Sequence, residues 1–115
     1  MPPNSASRFS EWVEIAEVKD KYRHRILELQ IDKGESSAIA LALETPDSVV
    51  ILDDYKARKI AERLDVTLTG TIGVIVKAKL NGTIPSIKPI IEKIKQTDFR
   101  LSSEIETQAL KEADE

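Results

Sequence analysis

The chain has 115 residues, 41% of them apolar and 32% charged, a composition that fits one ordinary globular domain rather than a disordered tail. A net charge of −3 argues against a surface that collects nucleic acid regardless of sequence, and the lack of cysteine excludes disulfides, zinc–thiolate sites and thiol nucleophiles. The first residues show no signal-peptide pattern and no apolar run reaches membrane-spanning length, so we expect a cytoplasmic protein.

The front of the chain predicts little regular structure. Residues 1–10 include prolines and serines without apolar spacing, so we predict a disordered arm there and one partial domain over residues 11–115. Residues 11–18 mix β-branched and aromatic residues with carboxylates, a pattern that favours a short edge strand with one wet side over a helix.

Two helices are predicted next. Tyr22, Ile26 and Leu29 share one helical face, and Gly34 is expected to end that first helix because glycine supplies the backbone freedom of a helix terminus. Residues 35–44 leave few polar positions beyond the first turn, which indicates a short helix buried on most sides.

A strand, a helix and a second strand follow. Residues 48–52 form a continuous apolar run rich in β-branched residues, typical of a strand buried on both faces of a sheet. Residues 55–64 have apolar side chains at helical spacing, and residues 66–69 suit another short strand. Such a unit joins two parallel strands by a right-handed crossover, so the sequence predicts an α/β fold.

The last third of the chain predicts three helices. Residues 71–80 are mostly apolar and are stopped by Asn81 and Gly82, while residues 85–96 carry isoleucines in a clear amphipathic stripe. Ser103, followed three residues later by Glu106, resembles a capping box that opens a final helix. These helices are many for so narrow a sheet, which suggests that a layer is missing at the front.

Acidic side chains follow the first strand. In open α/β sheets ligands bind beyond the carboxyl ends of the strands, where Asp53 and Asp54 are expected. A hard divalent cation such as Mg²⁺ would offset the cost of placing two carboxylates there. The alternative is that Asp54 caps the following helix and Asp53 is a solvated turn residue.

Two further positions have competing interpretations. Glu35 opens a helix on the side of its apolar residues, where it either binds a metal or only complements the helix dipole. Thr69 and Thr71 flank Gly70 between a strand and a helix, where they could border a phosphate or a metal-bound water, or Thr71 could simply cap the helix.

The basic residues give weaker signals. Lys56 and Arg58 follow the acidic pair and could touch phosphate, although solvated helix faces are the common role of such residues. His24 has no second histidine and no nucleophilic serine motif beside it, so we interpret it as a surface residue.

Several short blocks, taken in order and spacing, resemble the PIN-domain family, in a branch labelled as predicted nucleic acid-binding proteins. The likeness runs from about Trp12 to the end of the chain. The blocks are Gly34-Glu35, residues 38–42, residues 51–54 with Ala57-Arg58, residues 69–74, Ala78-Lys79 and residues 99–102.

The resemblance implies a fold and a chemistry. PIN domains are three-layer α/β/α ribonucleases that gather acidic side chains around Mg²⁺ or Mn²⁺, and many are VapC-type toxins paired with antitoxins. Carried over by residue, Glu35 and Asp53 become the catalytic metal ligands and Asp54 their helper. Thr69 and Thr71 would border the site, with Lys56 and Arg58 near the RNA.

The resemblance also implies an element that this sequence does not contain. The family begins with an apolar strand that ends in an aspartate and is followed by helices, and the early acids of this chain match no such motif. We therefore expect a helix-rich, partial PIN-like domain with a short parallel sheet, whose first strand is encoded upstream or supplied by another chain. The alternative to a ribonuclease is a non-catalytic module that forms a homodimer or binds an antitoxin as a regulatory partner.

Overall fold

The computed structural model describes residues 11–115, so the arm predicted over residues 1–10 lies outside the described residues. The described residues form two compact units, residues 11–48 and residues 49–115. The elements in chain order are α1 (Lys21–Glu28), α2 (Lys33–Glu44), β1 (Val50–Ile51), α3 (Tyr55–Arg63), β2 (Leu68–Thr69), α4 (Thr71–Leu80), α5 (Lys88–Lys95) and α6 (Ser103–Glu112). No helix among these is both long and apolar enough to cross a bilayer.

The first unit is a pair of capped helices. The Asp20 side chain accepts a hydrogen bond from the backbone N–H of Arg23 at the start of α1, and Asp32 accepts one from Glu35 at the start of α2. Helix α1 ends at Glu28, so the prediction that Gly34 ends it is wrong. Because Asp32 already starts α2, Gly34 lies in the first turn of that helix instead.

The predicted edge strand over residues 11–18 is also wrong. These residues begin with a turn and continue without regular structure, and no β-ladder pairs them within residues 11–115. Trp12 and Ile15 are exposed, and only Val18 is buried. β-Branched and aromatic residues do not make a strand without a partner, because the stability of a sheet comes from its ladder and from cross-strand packing.

The core of the first unit differs from the predicted faces. Tyr22, Ile26 and Leu29, the stripe that indicated α1, are all largely exposed, whereas Leu27 of the same helix is buried. In α2, Ile39 and Ala40 are fully buried and residues 36–44 are all buried or half-buried, which confirms a helix buried on most sides.

His24 is not the surface residue that its basic neighbours suggested. Its side chain is 13% exposed, and its Nε2 atom lies 3.1 Å from Ser36 Oγ and 3.3 Å from Glu28 Oε1. Ser36 is fully buried, so its hydroxyl needs partners inside the protein, and it donates to the Lys33 carbonyl as well. Both contacts of His24 use one ring nitrogen, unlike a catalytic triad, in which the two nitrogens have separate partners.

The second unit is built on a parallel strand pair joined by a helix, as predicted. Val50 pairs with Leu68 and Ile51 with Thr69, and α3 lies between the two strands in the chain. The protein is therefore an α/β fold in which six helices within residues 11–115 accompany a short two-stranded sheet. No further strand is found in that range.

Strand β1 is covered on one face only, so the prediction of burial on both faces is wrong. Leu52 and Val50 are buried, while Val49 and Ile51 remain 57% and 54% exposed. Successive side chains of a strand point to opposite faces, so this alternation means that one face of β1 lacks a covering layer among the described residues. The continuous apolar run is typical of a strand buried on both faces, although only one face of β1 is buried among the described residues.

Helices α4, α5 and α6 enclose the main core of the second unit. Its buried members are Val76, Ile87, Ile91, Ala109 and Ala113. The isoleucine stripe is confirmed, although α5 begins at Lys88 rather than at residue 85.

The N-cap of α6 lies one residue earlier than predicted. Ser102 accepts from the backbone N–H of Ile105, so the capping box of Ser103 and Glu106 is wrong. Glu106 instead pairs with Lys95 of α5 at 3.2 Å, and the hydrogen bond between them raises the pKa of Lys95.

Glu115 fastens the end of the chain to the start of α5. Its carboxylate accepts from Ser86 Oγ at 2.6 Å and from the backbone N–H of Ile87 at 2.8 Å. These two hydrogen bonds hold the pKa of Glu115 below the ordinary value of 4.5, with a smaller contribution from Lys79. Because the folded pKa is lowered, this contribution to stability is present above pH 4.5 and is lost as the pH falls through the folded value.

Replacing Glu115 with glutamine is therefore expected to weaken the pH dependence of stability. Urea unfolding at about pH 7 and about pH 3 gives the difference in the free energy of unfolding between the two conditions. That difference should be smaller in Glu115→Gln than in the wild type. Glu104→Gln, at an exposed position of α6, is the control. Equal differences in wild type and Glu115→Gln would contradict the assignment.

Candidate functional site

The candidate site of the second unit is a pocket of about 710 Å³ at the carboxyl ends of β1 and β2. It is where an open α/β sheet places its ligands. Acidic, basic, small polar and apolar side chains all contribute to its wall. The lining residues are Asp53, Asp54, Arg58, Leu68, Thr69, Gly70, Ile72, Gly73, Phe99, Arg100, Leu101 and Ile105.

Asp53 joins the end of β1 to the start of α4. Its Oδ1 accepts from the backbone N–H of Thr71 at 2.8 Å, and its Oδ2 accepts from Thr71 Oγ1 at 2.5 Å. Gly70 is the N-cap residue of α4 and provides no side-chain cap, so Asp53 provides it from another element. The interpretation of Thr71 as the cap of α4 is therefore wrong, and so is the interpretation of Asp53 as only a solvated turn residue.

Asp54 has the role that its position suggested as the alternative. Its Oδ2 accepts from the backbone N–H of Ala57 at 2.9 Å and caps α3. Its side chain also lines the pocket and is exposed. The two adjacent carboxylates thus cap the N-termini of two different helices, Asp53 that of α4 and Asp54 that of α3. The positive ends of both helix dipoles favour their negative charge.

Arg58 brings a cation to the same place. It is half-buried, and its Nη1 donates to the Leu52 carbonyl at 2.7 Å, which ties α3 to the end of β1. A β-carbon at position 70 would lie 3.0 Å from Asp53 Oδ1 and 3.1 Å from Arg58 Nη1. The glycine therefore lets the start of α4 approach both charged groups closely.

A second glycine sets the position of Thr69. A β-carbon on Gly73 would lie only 2.6 Å from Thr69 Oγ1, so any larger residue would displace that hydroxyl. Thr69 lines the pocket, and Thr71 is linked to the pocket wall by its hydrogen bonds to Asp53. Their role beside RNA stays a prediction.

Two pocket residues had no role in the sequence-based prediction. Phe99 and Arg100 come from the connection between α5 and α6 and line the wall of the pocket. Arg100 is exposed and Phe99 is half-buried. The only signal in the sequence was the stretch 99–102 in the family resemblance, which carried no side-chain role.

The remaining predicted residues lie elsewhere. Lys56 is exposed in the first turn of α3 and is not part of the pocket wall. Glu35 belongs to the first unit, where it is half-buried in the first turn of α2. Across residues 11–115, no three histidine, aspartate or glutamate side chains lie close enough to form a metal centre on their own.

The donors in the pocket nevertheless suit one kind of metal. Mg²⁺ is usually held by one or two carboxylates, several waters and the phosphates of its substrate. Asp53 and Asp54 supply carboxylate oxygens of that type at the open end of the pocket. The site fits a hard divalent cation completed by water and phosphate, and it does not fit a cage made by protein side chains alone.

Comparison with known proteins adds one match. A family model described as a PIN domain matches residues 3–115, nearly the whole chain. No curated protein and no solved structure matches it.

Proposed function

The chain belongs to the PIN-domain family, and from that premise we propose that it acts on RNA as a metal-dependent ribonuclease related to the VapC-type toxins. The observation that carries the proposal is that a carboxylate and a guanidinium lie close to the same point of the pocket wall. Asp53 Oδ1 and Arg58 Nη1 both lie within 3.1 Å of the β-carbon position of residue 70. Cleavage of a phosphodiester needs a cation to neutralise the phosphate charge and a carboxylate to hold a metal ion or to take a proton from the attacking water, and both types of group are present here.

The basic residues of the pocket are assigned to the RNA backbone. Arg58 uses one N–H for the Leu52 carbonyl, and a guanidinium carries five N–H donors, so others remain for phosphate oxygens. Arg100 is exposed and adds a second guanidinium to the pocket wall. The N-terminus of α4 is already capped by Asp53, so phosphate binding falls to these arginines.

The carboxylates are assigned to the reacting centre. Thr71 holds both oxygens of Asp53 through two hydrogen bonds, which fixes the orientation of the charge before a substrate arrives. Asp53 and Asp54 would hold Mg²⁺ or Mn²⁺, which when bound supplies an activated water and neutralises phosphate charge. The prediction that Glu35 of the first unit binds a metal is tested separately, by calorimetric titration of the wild type and Glu35→Gln with Mn²⁺.

Replacing Arg58 with alanine tests phosphate binding. We expect the affinity for a short single-stranded RNA to fall about tenfold, or about 1.4 kcal/mol, because charge-assisted hydrogen bonds to phosphate are lost. The dependence of log affinity on log salt concentration should become shallower by about one. Fluorescence anisotropy of a labelled RNA at several salt concentrations measures both quantities.

Arg63→Ala is the matched control, because Arg63 ends the same helix and lies outside the pocket wall. It removes the same charge and should leave affinity and salt dependence close to those of the wild type. Equal losses in the two variants would mean that any cation on α3 serves, and the assignment of the pocket would fail. Circular dichroism checks that Arg58→Ala still folds without its bond to Leu52.

Self-association and antitoxin binding belong to the same proposal. Val49 and Ile51 leave one face of β1 exposed, and exposed apolar surface of this kind commonly marks an interface. Light scattering on the purified chain, with and without a candidate antitoxin, measures both. A strict monomer with no antitoxin complex would remove this part of the proposal.

A further inference from the structure

The pocket has an apolar side that phosphate binding does not explain. Phe99, Leu101 and Ile105 line it together with Ile72 of α4. Ile105 is 51% exposed, although it lies in the same helix as Ala109, which is buried in the main core. Phosphate and metal chemistry need only charged and polar groups, so an open apolar wall beside two arginines indicates a ligand with a flat apolar part.

We propose that Phe99 forms a nucleobase subsite, so that the pocket holds one unstacked nucleotide with its base against Phe99 and its phosphate on Arg58 and Arg100. The proposal rests on the proposed function, since it names which part of an RNA the same pocket recognises. Nucleic-acid bases stack on aromatic side chains through their π faces, whatever the base.

The segment that carries Phe99 is fixed at both ends. Thr97 Oγ1 donates to the Ile94 carbonyl at 2.6 Å and accepts from the Phe99 backbone N–H at 3.1 Å. On the other side, Leu101 packs against the core of the second unit and Ser102 caps α6. The backbone that carries the ring is therefore anchored on both sides, so little backbone entropy remains to be lost when a base binds.

The arrangement selects single strands. A base in a duplex is stacked between its neighbours, and extracting it costs unpairing and unstacking energy. A flexible single strand can place its base on Phe99 without that cost, while the arginines hold the adjoining phosphate. The preference follows from the base subsite and not from the arginines, which would hold phosphates of either form.

The experiment compares three labelled RNAs of equal length: a single strand, the same strand with abasic positions, and a duplex. Binding is measured by fluorescence anisotropy without added metal, so that cleavage does not interfere. The wild type should bind the single strand about tenfold more tightly than the abasic strand, a typical effect of stacking one base. The duplex should also bind more weakly than the single strand.

Phe99→Ala should lose this advantage and bind the ordinary and abasic strands equally. Phe99→Leu keeps an apolar side chain without an aromatic face and should fall in between, which separates stacking from a general defect in the fold. If Phe99→Ala keeps the full preference for bases, or if the duplex binds as tightly as the single strand, the subsite is overturned.

The two proposals fail in different ways. If the wild type binds ordinary and abasic strands alike, and Arg58→Ala weakens both, the base subsite is wrong and the phosphate site stands. If the wild type binds none of the three RNAs and cleaves no RNA in Mn²⁺, the proposed function fails and takes the subsite with it.

Discussion

Replacing Asp53 with asparagine is expected to lower metal-dependent RNA cleavage roughly a hundredfold or more, the scale on which losing one charge-stabilising group affects an active site. The change removes the negative charge and little else. The amide oxygen can still accept from the Thr71 N–H, and the amide nitrogen can donate to Thr71 Oγ1, so the cap of α4 is kept. Initial cleavage rates of a labelled RNA in Mn²⁺, compared with the wild type, give the measurement.

Asp53→Ala separates the two roles of this carboxylate. It removes the charge and the cap together, so it should lose as much activity as Asp53→Asn and in addition about 1 kcal/mol of the free energy of unfolding. Asp20→Ala is the control, because it removes the equivalent cap from α1. That variant should lose stability but keep its activity per folded molecule. Full cleavage by Asp53→Asn would show that the carboxylate has no part in the chemistry.

Replacing Ile91 with alanine is expected to cost about 2–5 kcal/mol of the free energy of unfolding, the largest effect on stability that we predict. Ile91 is 1% exposed and lies in the cluster shared by α4, α5 and α6. The truncation leaves a cavity that close-packed neighbours fill only in part. Urea unfolding followed by circular dichroism measures the change.

Leu80→Ala is the matched control for that prediction. Leu80 is 60% exposed at the end of α4, so the same kind of truncation should change stability by no more than about 0.5 kcal/mol. A loss in Ile91→Ala no greater than in Leu80→Ala would mean that the cluster is not the main core of the second unit.

The sequence predicted the helices better than the surroundings of the strands. Helix periodicity is a local signal, so the stripe containing Ile91 and the stop at Gly82 could be located from neighbouring residues alone. Strand assignments depend on a partner that the local pattern does not contain. Residues 11–18 have the composition of an edge strand yet have no ladder within residues 11–115. Ile51 lies in a continuous apolar run typical of a buried strand, yet it is exposed.

The candidate site was predictable where backbone topology decides it. The carboxyl ends of parallel strands meet at one edge of a sheet, so the placement of Asp53 and Thr69 in one pocket followed from the strand-helix-strand pattern. The direction of individual hydrogen bonds did not follow, and Asp53 caps the helix in which Thr71 was expected to act. Phe99 and Arg100 could not be placed, because the path of a connection depends on how α5 and α6 pack.

The hydrogen bonds of Asp53 to Thr71 link two segments 18 residues apart in the chain. The Asp53 side chain thus both joins the two ends of the crossover and is the proposed metal ligand. Selection for stability and selection for catalysis would therefore act on the same carboxylate. Under the proposed function, a relative that had lost RNA cleavage would still be under selection to keep a hydrogen-bond acceptor at this position. Asparagine is the simplest replacement that meets this requirement, because it removes the negative charge and keeps both hydrogen bonds to Thr71.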